Sequence, residues 1–307
     1  VLVANDRWWG AKPVTNRITV WPQGADTADR VDKRTIDVVD VATGSAGSLT
    51  TPDDYRSTEA LSSGVEQLIF APSGPLSETP ARRAVALCTP RDVIAHDAGA
   101  PVLNSRLNTA DDDAFGKAEN VPEAGQFAHA DPNAARDALA GKPLTVRIGY
   151  HGPNPRLAAV VGAIATSCAP AGITITEVTA DDTGPQTLRD GQMDVLLAST
   201  GGATGSGSTG SSAVDAYCLR SGNGNNLAGY HNEHIDGIID LLAVTADPAE
   251  RARLLGESAP VLWADMPTLP LYRQQRTLMT SKKTGAVGTN PTRWGAGWNM
   301  DRWALQR

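Results

Sequence analysis

The alternation of apolar and polar residues predicts a mixture of strands and helices, most clearly in the middle of the chain. Apolar positions alternate with polar ones over residues 144–150, which is typical of a strand. Residues 155–169 follow with the three- and four-residue spacing of a helix, and the apolar runs 173–178 and 193–198 are two further strands. This β-α-β-α-β order predicts an α/β fold in which helices flank a mixed or parallel sheet.

Capping residues predict two more helices, one on each side of this segment. Thr79 and Pro80 supply a cap and a first-turn residue for the upstream helix. Downstream, Asp247 is an N-cap and Pro248 takes the first helical position, where no amide proton is required. Pro260 is expected to bend or interrupt the later turns of that helix, because proline removes a backbone donor from the helix interior.

Size and charge narrow the class of protein. At 307 residues the chain is longer than one hydrophobic core usually supports, so two lobes are expected. The net charge of -7, with acidic and basic residues interspersed, argues against nucleic acid and against electrostatic binding to anionic lipid. No apolar run approaches the roughly 20 residues of a membrane-spanning helix. Since the chain starts without Met, we expect a piece of a longer protein whose missing part carries any signal peptide or lipid anchor.

The three cysteines, Cys88, Cys168 and Cys218, are too few and too scattered for a disulfide framework or a zinc site. One disulfide and one buried thiol would suit an exported protein. Cys168 falls on the same predicted helical face as Leu157 and Ile164, so it is assigned to core packing. The expected disulfide therefore joins Cys88 to Cys218.

Motifs for catalysis, metal binding and nucleotide binding were each sought. None of the five histidines has the spacing of a metal site, and no Gly-x-Ser-x-Gly elbow precedes a helix. Three aspartates at 111–113 lack the spaced ligands of a calcium loop and read as a solvated face. The Gly- and Ser-rich residues 201–212 lack the Lys of a phosphate-binding loop and are expected to form a loop at the mouth of a ligand cleft. We therefore expect a protein that is not an enzyme and has no metal or cofactor.

Several motifs follow one another in the order and spacing of a known family. They include Gly-Tyr-His-Asn-Glu-His-Ile-Asp at 229–236, Asp-Pro-Ala-Glu-Arg at 247–251 and the Pro-x-x-Pro-Leu-Tyr ending of 263–272. Upstream, residues 68–70 and 75–94 match a hinge strand and the helix that follows it. In these motifs the chain resembles the family 5 extracellular solute-binding proteins, the dipeptide- and oligopeptide-binding type.

The resemblance implies a fold and a domain organisation. The fold would be α/β, a periplasmic-binding-protein-like (type II) architecture of two lobes with mixed sheets, truncated here at the N-terminus. Residues 1–72 and 269–307 would belong to lobe I and residues 73–268 to lobe II. The hinge would fall near residues 71–74.

One departure from the family pattern changes the expected ligand. Peptide-binding members carry a Trp-x-x-Asp-Tyr type segment after the third strand, and its carboxylate holds the ammonium group of the ligand. The corresponding residues 199–203 contain no acid and no aromatic residue. Because a buried ammonium group without a charged partner costs several kcal/mol, a neutral polyol or glycoside suits the site better than a peptide.

Side chains with hydroxyl, amide and indole groups are the candidate ligand contacts. Hydroxyl and amide groups hydrogen-bond sugars, and tryptophan faces stack on sugar rings and acyl chains. The tryptophans can equally fill the core of lobe I, and both interpretations stay open. The candidate residues of the cleft are Ser199, Thr200, Asn223, Asn225, Asn226, Tyr230, Trp294 and Trp298.

The resemblance is strongest to a mycobacterial branch of the family, the lipoproteins of phosphatidylinositol mannoside and lipoarabinomannan biosynthesis. It implies a non-catalytic monomer, lipid-anchored outside the cytoplasmic membrane in its full form. Such a protein would bind a glycolipid intermediate or a membrane mannosyltransferase and so regulate that biosynthesis. The alternative is the substrate-binding receptor of an ABC importer for peptides or another small solute.

Overall fold

The computed structural model describes most of the chain as two compact units. The described residues are 1–21, 26–42, 49–104, 122–200, 218–288 and 295–305, and a few side chains within them, including those of Thr200 and Trp298, are not described. Unit 1 comprises Val1–Ser62 and Gln275–Arg307, and unit 2 comprises Ser63–Gln274.

The elements of both units follow in chain order. The strands are β1 (Leu2–Val3), β2 (Arg17–Ile18), β3 (Val38–Ala42), β4 (Tyr55–Phe70), β5 (Leu144–His151), β6 (Ile173–Ala180), β7 (Val195–Thr200), β8 (Thr268–Ser281), β9 (Thr284–Gly285) and β10 (Ala304–Leu305). The α-helices are α1 (Thr27–Asp32), α2 (Thr79–Cys88), α3 (Arg91–Asp97), α4 (Pro132–Ala138), α5 (Pro155–Cys168), α6 (Pro185–Arg189), α7 (Glu233–Val244) and α8 (Pro248–Asp265). Short 3-10 helices occupy Gly74–Leu76, Pro122–Phe127, Ala169–Ala171 and Gly295–Arg302.

The chain passes from one unit to the other within the long strands β4 and β8. The lobe boundaries expected from the sequence follow residues 72 and 268, just past the last residue of β4 and at the first residue of β8, whereas the units change between Ser62 and Ser63 and after Gln274. Strands β4 and β8 run without a break across these points, although β4 carries Ser-Ser-Gly at 62–64 and β8 carries four polar residues at 273–276.

Unit 2 is built on a mixed sheet with strand order β8-β4-β7-β5-β6. Strand β5 pairs in parallel with both β6 and β7, and β4 pairs antiparallel with β7. Helices α5 and α6 connect the three parallel strands, which confirms the predicted β-α-β-α-β order. Gly172, in the left-handed region with a φ of 79°, ends the turn between α5 and β6.

The three larger apolar clusters of unit 2 lie on the two faces of its sheet and between two helices. The largest packs α2 and α5 against one face of the sheet, with Leu68, Phe70 and Ile148 almost fully buried. A second lies on the other face around Ile69 and Leu196. The third joins α7 to α8, where the predicted apolar face of α8 is buried at Leu254 and Leu262.

Helix α8 begins as predicted but does not end at its proline. The Asp247 carboxylate accepts a hydrogen bond from the amide of Ala249 at 3.2 Å, so Asp247 is the N-cap. The helix then runs through Pro260 to Asp265. Its apolar face is held by packing on both sides of Pro260, which outweighs the single backbone hydrogen bond that proline removes.

The disulfide pairs Cys88 with Cys168, so the predicted pairing of Cys88 with Cys218 was wrong. Cys88 is the last residue of α2 and Cys168 the last residue of α5, and their Cα atoms are 4.9 Å apart. Both side chains are fully buried where these two helices pack together. The periodicity that assigned Cys168 to the core was correct, but the core also contains Cys88. Cys218 is half-buried and lies outside this disulfide.

Unit 1 is made from the two ends of the described chain. Strand β3 pairs antiparallel with the last part of β8, from Arg276 to Thr280. Two short antiparallel pairs, β1 with β2 and β9 with β10, complete its strands. A small core forms around Val31, Val39 and Tyr55.

Candidate functional site

The parallel strands of unit 2 end at one edge of the sheet. Towards that edge, two apolar pairs of residues on β4 and β7 are followed by one polar pair. On the face covered by α2 and α5, Phe70 lies opposite Val195 and Leu68 opposite Leu197 on the neighbouring strand. The next pair in the same alternation is Glu66 opposite Ser199. Since strands β5 and β7 both end here, we call this edge the carboxyl edge of the sheet. Open α/β sheets place ligand sites at such edges.

An ion pair is buried at the carboxyl edge. The Glu66 side chain is 1% exposed, and its Oε2 lies 2.7 Å from Nη1 of Arg156, in the first turn of α5. The Asn154 side chain caps that turn by accepting a hydrogen bond from the backbone amide of Leu157. This cap fixes the backbone of the first turn, and with it the point from which the Arg156 side chain extends. Arg156 also donates to the hydroxyl of Tyr272 on β8.

These surroundings raise the pKa values of both Arg156 and Tyr272. Burial alone would lower the pKa of Arg156, but the attraction of the Glu66 carboxylate and of Tyr272 outweighs it, so the pKa of Arg156 is raised. Burial and then the Glu66 carboxylate raise the pKa of Tyr272. Arg156 therefore stays charged and Tyr272 stays protonated at neutral pH, and the two charges of the ion pair cancel.

Two polar oxygen atoms at this edge remain without a hydrogen bond to any described residue. One is Oγ of Ser199, whose side chain is 9% exposed, and the other is Oε2 of Glu66. Oε2 of Glu66 is nevertheless compensated by its ion pair with Arg156, so the Ser199 hydroxyl is the group of this edge without a partner among the described residues. Leaving such a group buried and unsatisfied costs about 1–3 kcal/mol, so the Ser199 hydroxyl needs an explanation.

Sequence reasoning found Ser199 here and missed the charged residues. Glu66 could have been recognised, because it is a charge in the same alternation as the buried Leu68 and Phe70. Arg156 and Tyr272 carry no comparable signal, since their approach to Glu66 depends on how α5 and β8 pack. The backbone of Thr200 pairs with Val65 at the same edge.

The asparagines of the predicted site are used inside their own loop. The Asn226 amide donates to the carbonyl oxygen of Tyr230 at 2.7 Å and to that of Arg220 at 3.2 Å, and it accepts from the Tyr230 amide at 3.0 Å. Asn223 accepts from the backbone amide of Asn225 at 2.8 Å. Asn226 therefore closes residues 220–230 into a compact turn, and its polar groups are already satisfied.

Tyr230 is likewise engaged within unit 2. Its hydroxyl donates to Oδ2 of Asp265 at 2.6 Å, and the amide of Asn232 donates to the same oxygen at 3.2 Å. Asn232 also caps α7 by accepting from the amides of His234 and Ile235. This arrangement ties the start of α7 to the end of α8, which is a structural role.

The loop of Asn226 lies at the opposite edge of the sheet from Ser199. Gly229 has a φ of +56°, and a Cβ there would approach the Pro72 side chain within 2.7 Å, so this loop packs directly beyond the end of β4. Phe70, at that end, pairs with Val195 at the start of β7, and Ser199 is four residues further along. At about 3.3 Å per residue, the two groups of predicted residues lie about 13 Å apart along the strand and do not form one cluster.

A polar cavity of about 300 Å³ lies at the edge where β4 ends. Its lining includes Pro72, Thr79, Tyr230, His231 and Asp265, together with Arg82. The Arg82 guanidinium donates to the carbonyl oxygens of Leu76, Ser77, Asp265 and Met266 and to the hydroxyl of Thr79. Because its donors are committed to the backbone, Arg82 fastens α2 to the end of α8.

The aromatic residues of unit 1 include the exposed tryptophans Trp8, Trp9 and Trp21. The ring centroids of Trp8 and Trp9 are 4.9 Å apart, and the Arg30 guanidinium lies 3.8 Å from the centroid of Trp21. Trp8 also lines an apolar cavity of about 170 Å³ with Leu2 and Ile18. Trp294 lies outside the described residues, and only the backbone of Trp298 is described, within the 3-10 helix Gly295–Arg302.

The part of the chain that the structure describes contains neither a metal-binding cluster nor a helix that could cross a membrane. No group of three or more His, Cys, Asp or Glu residues in these ranges is arranged to hold a metal ion. Among the helices described, none combines the length and the hydrophobicity required to cross a membrane.

Solved structures with the same fold are ligand-binding proteins. The dipeptide binding protein from Pseudoalteromonas sp. SM9913 in complex with Met-Leu matches 99% of this chain and 61% of its own, with a TM-score of 0.81 and 14% identity. The periplasmic EDTA-binding protein EppA matches the same shares of the two chains, with a TM-score of 0.79 and 17% identity. At these identities the likeness defines the fold, which is that of the periplasmic binding proteins.

Sequence comparison identifies the family. Residues 1–217 match the model of the middle region of the bacterial extracellular solute-binding proteins, family 5, and the chain belongs to this family. This confirms the resemblance found in the sequence motifs, and it supports a location outside the cytoplasm.

Curated proteins similar to this chain include lipoproteins of mycobacteria. An uncharacterized lipoprotein of Mycobacterium tuberculosis is 70% identical over 307 residues, which is 100% of this chain and 55% of the relative. An uncharacterized lipoprotein of Mycobacterium leprae is 66% identical over 311 residues, covering 100% of this chain and 56% of the relative. The chain thus spans about half the length of the curated relatives it matches.

Proposed function

We propose that the protein is a non-catalytic, ligand-holding lipoprotein of the cell envelope that binds a glycolipid or another neutral hydroxylated solute. The supporting observation is the carboxyl edge of the unit 2 sheet. Where β4 and β7 meet at this edge, on the face covered by α5, the polar groups are the hydroxyls of Ser199 and Tyr272 and an ion pair whose charges cancel, and residues 199–203 supply no carboxylate. A ligand with an uncompensated charge would lose its hydration there without a counter-charge, whereas hydroxyl groups would gain hydrogen bonds.

The proposal extends to a role in the mycobacterial envelope. In its full length the protein would be anchored by lipid outside the cytoplasmic membrane, as the description of its relatives as lipoproteins suggests. It would hold a mannolipid intermediate or dock a membrane mannosyltransferase, and so regulate the synthesis of phosphatidylinositol mannosides and lipoarabinomannan. Catalysis would belong to the partner enzyme and not to this chain.

Ligands that co-purify with the full-length protein provide the first test. We expect mass spectrometry of the extracted ligand to find a glycosylated lipid or a glycoside. A mycobacterial strain that lacks the protein should show a changed ratio of phosphatidylinositol mannosides to lipoarabinomannan, restored by the wild-type gene. An unchanged ratio would contradict the envelope role while leaving the ligand-holding role intact.

A second candidate is the substrate-binding receptor of an ABC importer for peptides or another small solute. It is favoured by the solved structure of the same fold that holds Met-Leu. Recovery of peptides from the purified protein, with no glycosylated compound, would select this candidate. Turnover of a glycoside or ester by the purified protein would instead refute the non-catalytic role.

A further inference from the structure

The two oxygen atoms at the carboxyl edge that lack a hydrogen bond from the described residues share one face of the sheet. Glu66 and Ser199 are direct partners on antiparallel strands, so their side chains point to the same face with Cβ atoms about 4.5–5.5 Å apart. The rows before them on this face are apolar pairs buried under α2 and α5. The polar pair therefore stands where the core ends and where α5 begins with Arg156.

We infer that Glu66, Ser199 and Arg156 form a subsite that recognises the hydroxyl groups of a neutral polyhydroxylated ligand, a glycoside or a polyol. The inference rests on the proposed ligand-holding function and specifies the ligand class. A ligand hydroxyl is both donor and acceptor, so one can donate to Oε2 of Glu66 while a second exchanges a hydrogen bond with Oγ of Ser199. Both oxygens lack a hydrogen bond from the described residues.

Arg156 sets the charge of this subsite. Its Nη1 is 2.7 Å from Oε2 of Glu66, so the pair offers strong local polarity with no net charge. An ammonium group that is attracted by Glu66 is repelled by Arg156, and a carboxylate group that is attracted by Arg156 is repelled by Glu66. Neither ionic group finds an uncompensated partner, whereas neutral hydroxyl groups lose little hydration and satisfy both oxygens.

Alternative roles for the two oxygens explain less. A purely structural ion pair between β4 and α5 accounts for Glu66 and Arg156 but leaves the Ser199 hydroxyl without a purpose. An alanine in place of Ser199 would fill the same position with no unsatisfied group, and the apolar pairs of the preceding rows show that this face accepts apolar side chains. The unsatisfied hydroxyl of Ser199 at this position therefore points to a ligand.

Binding by the full-length protein tests the ligand class. Isothermal titration with methyl α-glucopyranoside and with myo-inositol measures the free neutral ligands, and Met-Leu serves as the zwitterionic comparison. Co-sedimentation with phosphatidylcholine vesicles that contain a glycosyl diacylglycerol, against vesicles without it, measures the lipid-linked form. We expect at least one hydroxylated probe to bind more tightly than Met-Leu, and the two arms distinguish a free glycoside from a lipid headgroup.

Replacement of Ser199 tests the subsite itself. Ser199→Ala should weaken binding of the hydroxylated probe about tenfold, the effect of one lost hydrogen bond in a buried site. Its thermal midpoint should not fall, because the hydroxyl has no partner among the described residues. Ser258→Ala is the matched control, since that serine is also buried but donates to the Leu255 carbonyl oxygen at 2.8 Å. It should leave binding unchanged.

Replacement of Glu66 tests the charge balance. Glu66→Gln leaves Arg156 without its counter-charge while keeping a similar shape. The variant should therefore gain affinity for methyl glucuronide, which carries a carboxylate, relative to methyl glucoside. A glutamate with only a structural role would lower stability without reversing this preference.

The possible results separate the inference from the proposed function. Binding of Met-Leu without any hydroxylated probe overturns the inference and leaves a ligand-holding protein. If a hydroxylated probe binds and Ser199→Ala changes its affinity no more than Ser258→Ala does, the subsite alone is overturned. Absence of binding to every probe, together with no ligand co-purified, overturns both.

Discussion

Arg91 is a fully buried arginine that meets only neutral acceptors. Its guanidinium lies 5.2 Å from the centroid of the Trp263 ring, and burial lowers the pKa of Arg91 to about 9. Since this pKa lies above 7, the side chain still carries its charge at neutral pH, and each of its three nitrogen atoms donates a hydrogen bond. The acceptors are the carbonyl oxygens of Leu103, Phe127 and Pro270 and the side-chain oxygen of Asn104.

Arg91→Lys should therefore destabilise the protein despite keeping the charge. A lysine ammonium cannot reach acceptors on so many sides, and the carbonyl groups left behind would be buried and unpaired. We expect a loss of about 3–5 kcal/mol in the free energy of unfolding, measured by urea denaturation. Arg253→Lys, on the exposed face of α8, is the control and should change nothing measurable. Equal stability of the two variants would show that Arg91 does not organise these backbone groups.

At the scale of elements, the disulfide joins the ends of α2 and α5 across 80 residues of sequence. Reduction, or the pair of substitutions Cys88→Ser and Cys168→Ser, should lower stability by about 2–4 kcal/mol, because the unfolded chain gains freedom. Thermal melting with and without reductant measures this loss. Cys218→Ser should leave the effect of reductant unchanged. Recovery of Cys88 and Cys218 in one cross-linked peptide would contradict the observed pairing.

Local sequence patterns predicted the elements better than they predicted the site. The β-α-β-α-β order and the N-cap at Asp247 depend on periodicity and short-range hydrogen bonds, which a sequence displays directly. Pairing of Cys88 with Cys168 depends on how two helices pack, which it does not display. In the sequence, Asn226 and Ser199 are both polar residues that follow or end a predicted strand, and nothing separates them. In the structure, the Asn226 side chain is satisfied by hydrogen bonds within its own turn, whereas the Ser199 hydroxyl has no partner in the described part of the chain.

At the scale of the molecule, unit 2 should fold without the rest of the chain. Its three larger apolar clusters and its disulfide lie within residues 63–274, a single continuous segment. We expect a fragment of these residues to give a native-like circular dichroism spectrum and one cooperative thermal transition. A broad, non-cooperative melt would show that unit 2 needs unit 1. Residues 1–62 alone should stay unfolded, because they supply only part of unit 1.

The discontinuity of unit 1 constrains the order in which a growing chain can fold. Strand β3 finds its partner only in residues 276–280, more than 230 residues later. During synthesis the early segment must wait, with its exposed tryptophans uncovered, while the intervening unit is completed first. Chaperones that accompany the chain to the cell envelope would therefore hold this segment longest, and a premature stop before residue 275 would leave it permanently without its partner strand.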